Sequence, residues 1–163
     1  MTLRSDAYYR SVADGALARA GVIEPPVPVD GIITGLGVPL RYVSLPEFFT
    51  ATTVYVDGLP VMIANAAKPE DEIRRALAHM LAHVLLVLGG DYTYPRTMAV
   101  HPEADLVASE LLMPALLVTE QARLWFNDHR YLARLFGVSE REMVDRMRAL
   151  GLMKGPQGVM WDY

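Results

Sequence analysis

Two histidines four residues apart, His79 and His83, are the residues of this chain best suited to do chemistry. On a helix this spacing places both imidazoles on one face, where they can share one metal ion. In zinc peptidases with a His-Glu-x-x-His motif, the residue after the first histidine is the glutamate that acts as general base. Here that residue is Met80, whose thioether cannot carry a proton. The motif therefore keeps the metal ligands and lacks the usual base.

A third ligand is needed for a zinc site of the catalytic kind, which has three protein ligands and one open position. The chain has no cysteine, so the third ligand must be a histidine, an aspartate or a glutamate. Glu103, in the first turn of the next predicted helix, is our candidate, and His101 at the start of that helix is its rival. Glu103 could instead sit on a solvated face and stabilise the helix dipole. The two histidines could likewise be core residues that bond to the backbone, but burial in the most apolar helix favours a shared metal.

The bulk composition predicts one globular domain. The chain has 163 residues, of which 52% are hydrophobic, and a net charge of −4. An acidic chain with a pI of about 5.5 argues against a direct nucleic-acid surface. The apolar surplus is explained either by a buried partner surface or by a large core, and it leaves a homo-oligomer open. Residues 1–10 do not look like a secretory signal and the longest apolar run is too short to cross a bilayer, so we expect a cytoplasmic protein with no membrane contact.

The elements that must position the histidines follow from the apolar periodicity and the turn residues. An Asp57-Gly58 pair between two β-rich runs predicts a hairpin. Ser139 with Glu142 predicts a capping box at the start of the last helix. The order of elements predicts an α+β fold. We expect helices at 6–20, 30–37, 69–89, 102–113, 116–126, 128–136 and 139–150, strands at 38–45, 52–56 and 60–64, and a loop at 91–100.

Several segments, taken in order, resemble the ImmA/IrrE metallopeptidases, compact zincin-like proteins often met beside phage-type repressors. The resemblance covers most of the chain. It implies one zincin-like domain over residues 1–163, in which a small mixed or antiparallel sheet packs on a mostly helical body. Within it, residues 1–37 form the N-terminal helix and connector, 38–65 the sheet, 68–89 the metal helix, 101–113 the third-ligand helix and 116–151 the C-terminal helices. The matching segments are Glu24-Pro25-Pro26, Leu36-Gly37-Val38, Val61 to Asn65, Arg75 to His83, Glu103-Ala104, Leu111 to Pro114, Leu132 to Ser139, and Arg146.

By this resemblance one zinc per chain would be bound by His79, His83 and Glu103. The family's glutamate takes a proton from zinc-bound water, and Met80 replaces it here. Loss of a positioned general base lowers a rate by roughly 10²- to 10⁴-fold. The resemblance also implies a protein partner, a helix-turn-helix transcriptional repressor.

Three explanations of Met80 are open, and we favour the first. The chain is a pseudo-enzyme that binds such a repressor without cutting it. Alternatively, it is an active peptidase that uses a substitute base, for which Glu110, Asp105 and His101 are candidates. In the last explanation the motif is vestigial and the chain binds its partner without a metal.

Two of the candidate residues also have simpler interpretations. Glu110 is first interpreted as a solvated or ion-paired glutamate. Tyr92, in the loop that follows the metal helix, could donate a hydrogen bond to an oxyanion, or it could simply order that loop.

Overall fold

Seven helices and a three-stranded sheet make up residues 4–89 and 101–153, the part of the chain that this computed structural model describes. The predicted α+β class is confirmed. The predicted loop at 91–100, with Tyr92, lies outside the described residues. The elements are α1 Asp6–Arg19, α2 Val29–Gly35, β1 Leu40–Val43, β2 Ala51–Val56, β3 Leu59–Asn65, α3 Glu70–Leu88, α4 Pro102–Leu112, α5 Ala115–Leu124, α6 His129–Phe136 and α7 Glu140–Ala149.

The sheet is mixed, with β3 in the centre. Its strand order is β1-β3-β2, in which β1 runs parallel to β3 and β2 runs antiparallel to it. The predicted hairpin joins β2 to β3, and Asp57 and Gly58 both have positive φ, which Asp and Gly tolerate best. Because β1 and β2 flank β3, the loop of residues 44–50 must cross the end of β3. Its anchor there is Asn65, the last residue of that strand.

Helix α3 carries the two histidines through the middle of the core. Its first turn contains Glu70, Asp71 and Glu72, which stabilise the positive end of the helix dipole, and Gly89 caps its last turn. Its apolar face packs against α4, α1, α2 and the sheet. The histidine pair is thus held on a rigid element rather than on a loop. The buried residues of α3 are Ile73, Leu77, Ala78, Leu81, Ala82, His83, Leu85 and Leu86.

The C-terminal helices are fixed by local caps and by the hydrogen bonds of Arg74. Ser139 and Glu142 form the predicted capping box at the start of α7. Arg74 of α3 donates to the carbonyls of Val27, Phe136 and Gly137, so it joins three segments. Among the described residues, no helix is long and apolar enough to cross a membrane.

Candidate metal centre

His79 and His83 face each other one helical turn apart on α3. Their Nε2 atoms are 3.0 Å apart and their ring centroids 4.7 Å apart. His83 is buried and His79 is half-buried, so the pair lies at the boundary between the core and the surface. The helical spacing predicted this shared face, and the structure brings the two rings together.

His101 completes a cluster of three imidazoles. It stands at the N-cap of α4, and its ring centroid is 4.7 Å from that of His83 and 5.9 Å from that of His79. One ring nitrogen of each histidine lies within 4.8 Å of the others. In the part of the chain that the structure describes, this cluster is the group of acidic or imidazole side chains that could hold a metal.

Glu103, expected from the resemblance as the third ligand, lies half-buried in the first turn of α4. Its carboxylate does not belong to the cluster that His101 completes. The role of Glu103 as a ligand therefore stays a prediction. His101, its rival, is the residue that lies beside the histidine pair.

Asp105 orients His79 from α4. Its Oδ1 lies 2.9 Å from Nδ1 of His79, so a hydrogen bond fixes the ring and directs Nε2 toward His83 and His101. Metal-binding histidines commonly donate their second ring N–H to a carboxylate in this way. From the sequence, Asp105 is expected only as a candidate substitute base. Its position one turn after His101, in an i, i+4 relation, is the signal that could have indicated a role beside the imidazoles.

His83 is held neutral by its surroundings. Burial, and after it the neighbouring rings of His79 and His101, lower its pKa to about 4. A neutral imidazole has a free lone pair, which is the form that binds metal ions. At neutral pH the ring is therefore ready to act as a ligand.

The three imidazoles fit a zinc ion by their chemistry. Zinc accepts nitrogen ligands at about 2.0–2.1 Å, and a set of three histidines with one open position is a known catalytic arrangement. The ring nitrogens already lie within 4.8 Å of one another, and the Asp105 carboxylate supplies the outer partner that such a site uses.

Met80 opens onto a cleft beside the imidazoles. This cleft has a volume of about 670 Å³, and His79, Met80 and Asp105 all line it. The first residue of β2, Ala51, and apolar side chains of α4 also line it. The position at which the motif would place a glutamate is thus occupied by a half-buried thioether.

Glu110 lies in a different environment. It is 3% exposed and forms a buried ion pair with Arg146 of α7 through Oε2. Its other oxygen, Oε1, accepts a hydrogen bond of 2.8 Å from the Ala115 N–H. Both oxygens are engaged in joining α4 to its neighbours, and the side chain is not among the described residues that line the cleft.

The fold and the histidine pair define a zincin-like, metallopeptidase-type domain. A peptidase family model described as the IrrE N-terminal-like domain matches residues 34–148. The chain belongs to this family, as the resemblance predicted.

A transcriptional regulator from Mycobacterium tuberculosis has a similar structure, with a TM-score of 0.66 and 15% sequence identity. The match covers 93% of this chain and 48% of that protein, so this chain spans about half the length of the regulator. At this identity the likeness shows the fold alone. A search of curated proteins finds no match.

Proposed function

We propose that this chain binds a zinc ion and recognises a protein partner without cleaving it. The observation that carries the proposal is the position of Met80, which lines the same cleft as His79. Methionine offers neither a proton nor a proton acceptor, so the step in which a base activates water has no group at that position. The cleft itself is a concave surface beside the imidazole of His79.

His79, His83 and His101 would hold the zinc, with Glu103 as the alternative third ligand. When bound, zinc polarises an oxygen ligand and lowers the pKa of bound water to about 7. The chain's own contribution is to fix the rings: α3 sets the distance between two of them and Asp105 orients His79. In a recognition protein this would leave one open position on the metal for a group of the partner.

The partner would present an extended segment to the cleft. Strand β2 is an edge strand, and its first residue, Ala51, lines the same cleft as His79. An added strand could bond to the free edge of β2, while an apolar side chain enters beside Met80 and Leu106. Because Met80 makes the lining of the cleft less polar than a glutamate would, the cleft would favour an apolar side chain of the partner over a charged one.

A helix-turn-helix transcriptional repressor is our proposed partner. The support is the chain's membership of the IrrE-like family, together with the resemblance to proteins met beside phage-type repressors. The net charge of −4 and the pI of about 5.5 suit binding to a protein surface better than binding to DNA. We therefore propose that the partner, and not this chain, contacts DNA.

A second candidate function is peptide hydrolysis with Asp105 as the base. Of the three substitute bases, Asp105 is the carboxylate that lines the cleft, and its side chain is 63% exposed. Its bond to His79 makes it an orienting group first. An Asp105→Asn variant that keeps its zinc but loses all proteolysis would support this function.

Restoring the base is the sharpest test of the main proposal. Wild type, Met80→Glu and the matched control Met80→Gln would be incubated with zinc and with a helix-turn-helix repressor encoded beside the gene of this chain. We expect the wild type and Met80→Gln to bind the repressor without cutting it, and Met80→Glu to release a discrete fragment.

Two results would contradict the proposal. Cleavage by the wild type, abolished in His83→Ala, would identify an active peptidase. Metal content well below one zinc per chain in protein purified without chelator would remove the metal from the proposed function.

A further inference from the structure

The exposed apolar side chains of this molecule are concentrated on one short stretch. Of the sixteen large hydrophobic residues that are exposed in the described part of the chain, eight lie between residues 42 and 59. That stretch includes two strands of the sheet and the loop that joins them. An apolar surface concentrated in this way indicates an interaction site more strongly than scattered exposed residues do. This surface is separate from the metal centre and does not depend on the proposed function.

The register of the sheet assigns four of these eight residues to one face. Residues paired across strands point to the same side, so Thr52, Val54 and Val56 share a face with Ile63, Val61 and Leu59. The opposite face carries Met62 and Ala64, which are fully buried beneath the helices. We call the first side the outer face: Arg41, Val43, Thr52, Val54, Val56, Leu59, Val61 and Ile63.

The outer face is apolar and partly open to solvent. Leu59 is 67% exposed and Val56 is 55% exposed, and Val43 and Val54 are exposed to a smaller extent. A sheet with one solvated face normally alternates apolar and polar residues, so that the solvated face is polar. Here the outer face carries three valines with Val61, Leu59 and Ile63, and its polar residues are Thr52 and the charged Arg41. It has the composition of a surface that is covered.

Two phenylalanines extend the outer face at the end of β3. Phe48 is 80% exposed, and its ring centroid lies 4.4 Å from that of Phe49. Asn65, which points to the outer side of β3, anchors their loop. Its amide accepts from the Leu45 N–H at 3.1 Å and donates to the carbonyls of Leu45 at 3.0 Å and Phe49 at 2.8 Å. The rings are thus displayed on a fixed backbone, which lowers the entropy lost on binding.

The area of this surface matches what a stable interface needs. With about 150–250 Å² for a phenylalanine and somewhat less for an aliphatic residue, the exposed fractions leave roughly 500 Å² of apolar surface. A standard interface buries about 800 Å² on each partner, of which about 56–65% is apolar. The outer face and the phenylalanine pair together supply about that apolar share.

We propose that a second copy of this chain covers the outer face, so that two three-stranded sheets stack into a sandwich. Aligned sheets pack at about 10 Å through interdigitated aliphatic side chains, the kind that this face presents. One pair of opposite charges lies toward the two ends: Arg41 is level with Ile63, and Asp57 lies in the turn at the other end, while Glu47 lies in the phenylalanine loop. A two-fold axis across the strands sets Arg41 of each copy against the Asp57 turn of the other.

Sedimentation velocity with two neighbouring residues of β2 tests this proposal. Val56 points to the outer face, whereas Tyr55, at 72% exposure, points to the opposite face of the same strand. Since interfaces of this size bind with micromolar affinity or better, we expect a dimer of the wild type at about 100 μM. Val56→Lys should be monomeric there, and Tyr55→Lys should remain dimeric. Both variants would be checked for a folded circular-dichroism spectrum, with Leu59→Lys as a second outer-face variant.

Other outcomes would overturn the proposal. A wild type that stays monomeric at this concentration would assign the outer face to a different protein. Equal loss of the dimer in Tyr55→Lys and Val56→Lys would indicate pairing through the edge of β2. A dimer that survives both outer-face lysines would place the contact elsewhere on the molecule.

Phe48→Ser should weaken the dimer by at least about 10-fold, since a buried aromatic anchor contributes strongly to an interface.

Discussion

At the scale of single residues, the choice of the third metal ligand decides what kind of site this is. His101 beside His79 and His83 gives three imidazole donors, whereas Glu103 would replace one imidazole with a carboxylate. We expect His101→Asn to weaken zinc binding by more than about 100-fold, because loss of a ligand exceeds the 10- to 100-fold effect of an outer partner. Glu103→Gln should change it by less than about 3-fold. Competition titration with a zinc-binding dye measures both, and the reverse ranking would restore the ligand set that the family resemblance implies.

Asp105 provides a second test at this scale, because it touches the ligand His79 and lies one turn after His101 on α4. Asp105→Asn keeps the shape of the side chain and removes the charge that holds His79 in position. We expect zinc affinity to fall by about 10- to 100-fold. Asp145→Asn, an exposed acid that also lines the cleft, is the control and should leave the affinity unchanged. An unchanged affinity in Asp105→Asn would mean that the carboxylate does not orient the ring.

The lowered pKa of His83 makes the metal-free protein sensitive to acid. The pKa is about 4 in the folded chain and about 6.5 in the unfolded chain. Between these values the unfolded chain binds more protons, so the free energy of unfolding falls as the pH falls through that range. The loss is on the order of 3 kcal/mol by pH 4. Urea unfolding in EDTA at pH 7.5, 5.5 and 4.5 measures it, and His83→Gln should show a smaller decrease over the same range.

The sequence alone predicted the histidine pair, because the i, i+4 spacing fixes the relative direction of two side chains on a helix. It could not choose between His101 and Glu103. His101 is the N-cap of α4, where φ is −128° and ψ is 75°, so helical periodicity does not determine its direction. The hydrogen bond between His79 and Asp105 was missed for a related reason, since it depends on how α4 packs against α3.

At the scale of elements, the ion pair between Glu110 and Arg146 joins α4 to α7. Both side chains are buried, and Arg146 also donates from Nε to the Met113 carbonyl at 2.9 Å. Removing one member leaves the other charge buried without its counterion, which costs about 3–5 kcal/mol. Arg146→Ala should therefore lower the free energy of unfolding by that amount in urea titrations.

Arg148, on the same helix, is the matched control for Arg146. Its contact with Asp145, at 3.8 Å, is exposed to solvent. Exposed pairs contribute about 0–1 kcal/mol, so Arg148→Ala should have little effect. Similar losses in the two variants would show that the buried pair does not hold α7 in place.

Most helices and the hairpin were predicted to within about two residues, because apolar periodicity, caps and the Asp57-Gly58 turn are local signals. Strand β1 differs by two residues at both ends, since it was predicted over 38–45 and is observed as Leu40–Val43. A strand extends only as far as its partner pairs with it, and β1 pairs with β3 from Met62 to Asn65. The length of β1 is therefore set by its pairing in the sheet, and the local sequence of β1 does not indicate it.

At the scale of the whole molecule, the strand order could not be predicted from the sequence. The hairpin fixed β2 beside β3, but nothing local indicated that β1 pairs on the far side of β3 and parallel to it. That crossing creates the Asn65-anchored loop and leaves one face of the sheet apolar. The apolar surplus noted in the composition is therefore divided between the core and the outer face.

Metal binding should also stabilise the whole domain, because the three imidazoles converge in the folded chain alone. A ligand at 100 times its dissociation constant adds about 2.7 kcal/mol to the free energy of unfolding. For a domain of 150–250 residues each kcal/mol raises Tm by about 2–4 °C, so zinc should raise Tm by roughly 5–10 °C over protein in EDTA. Scanning calorimetry measures the shift. The double variant His79→Gln/His83→Gln should abolish the rise in Tm. The variant Met80→Leu should retain that rise, because the thioether is not a proposed ligand. A wild type whose Tm does not respond to zinc would show that the imidazoles pair with each other and leave the motif without a metal.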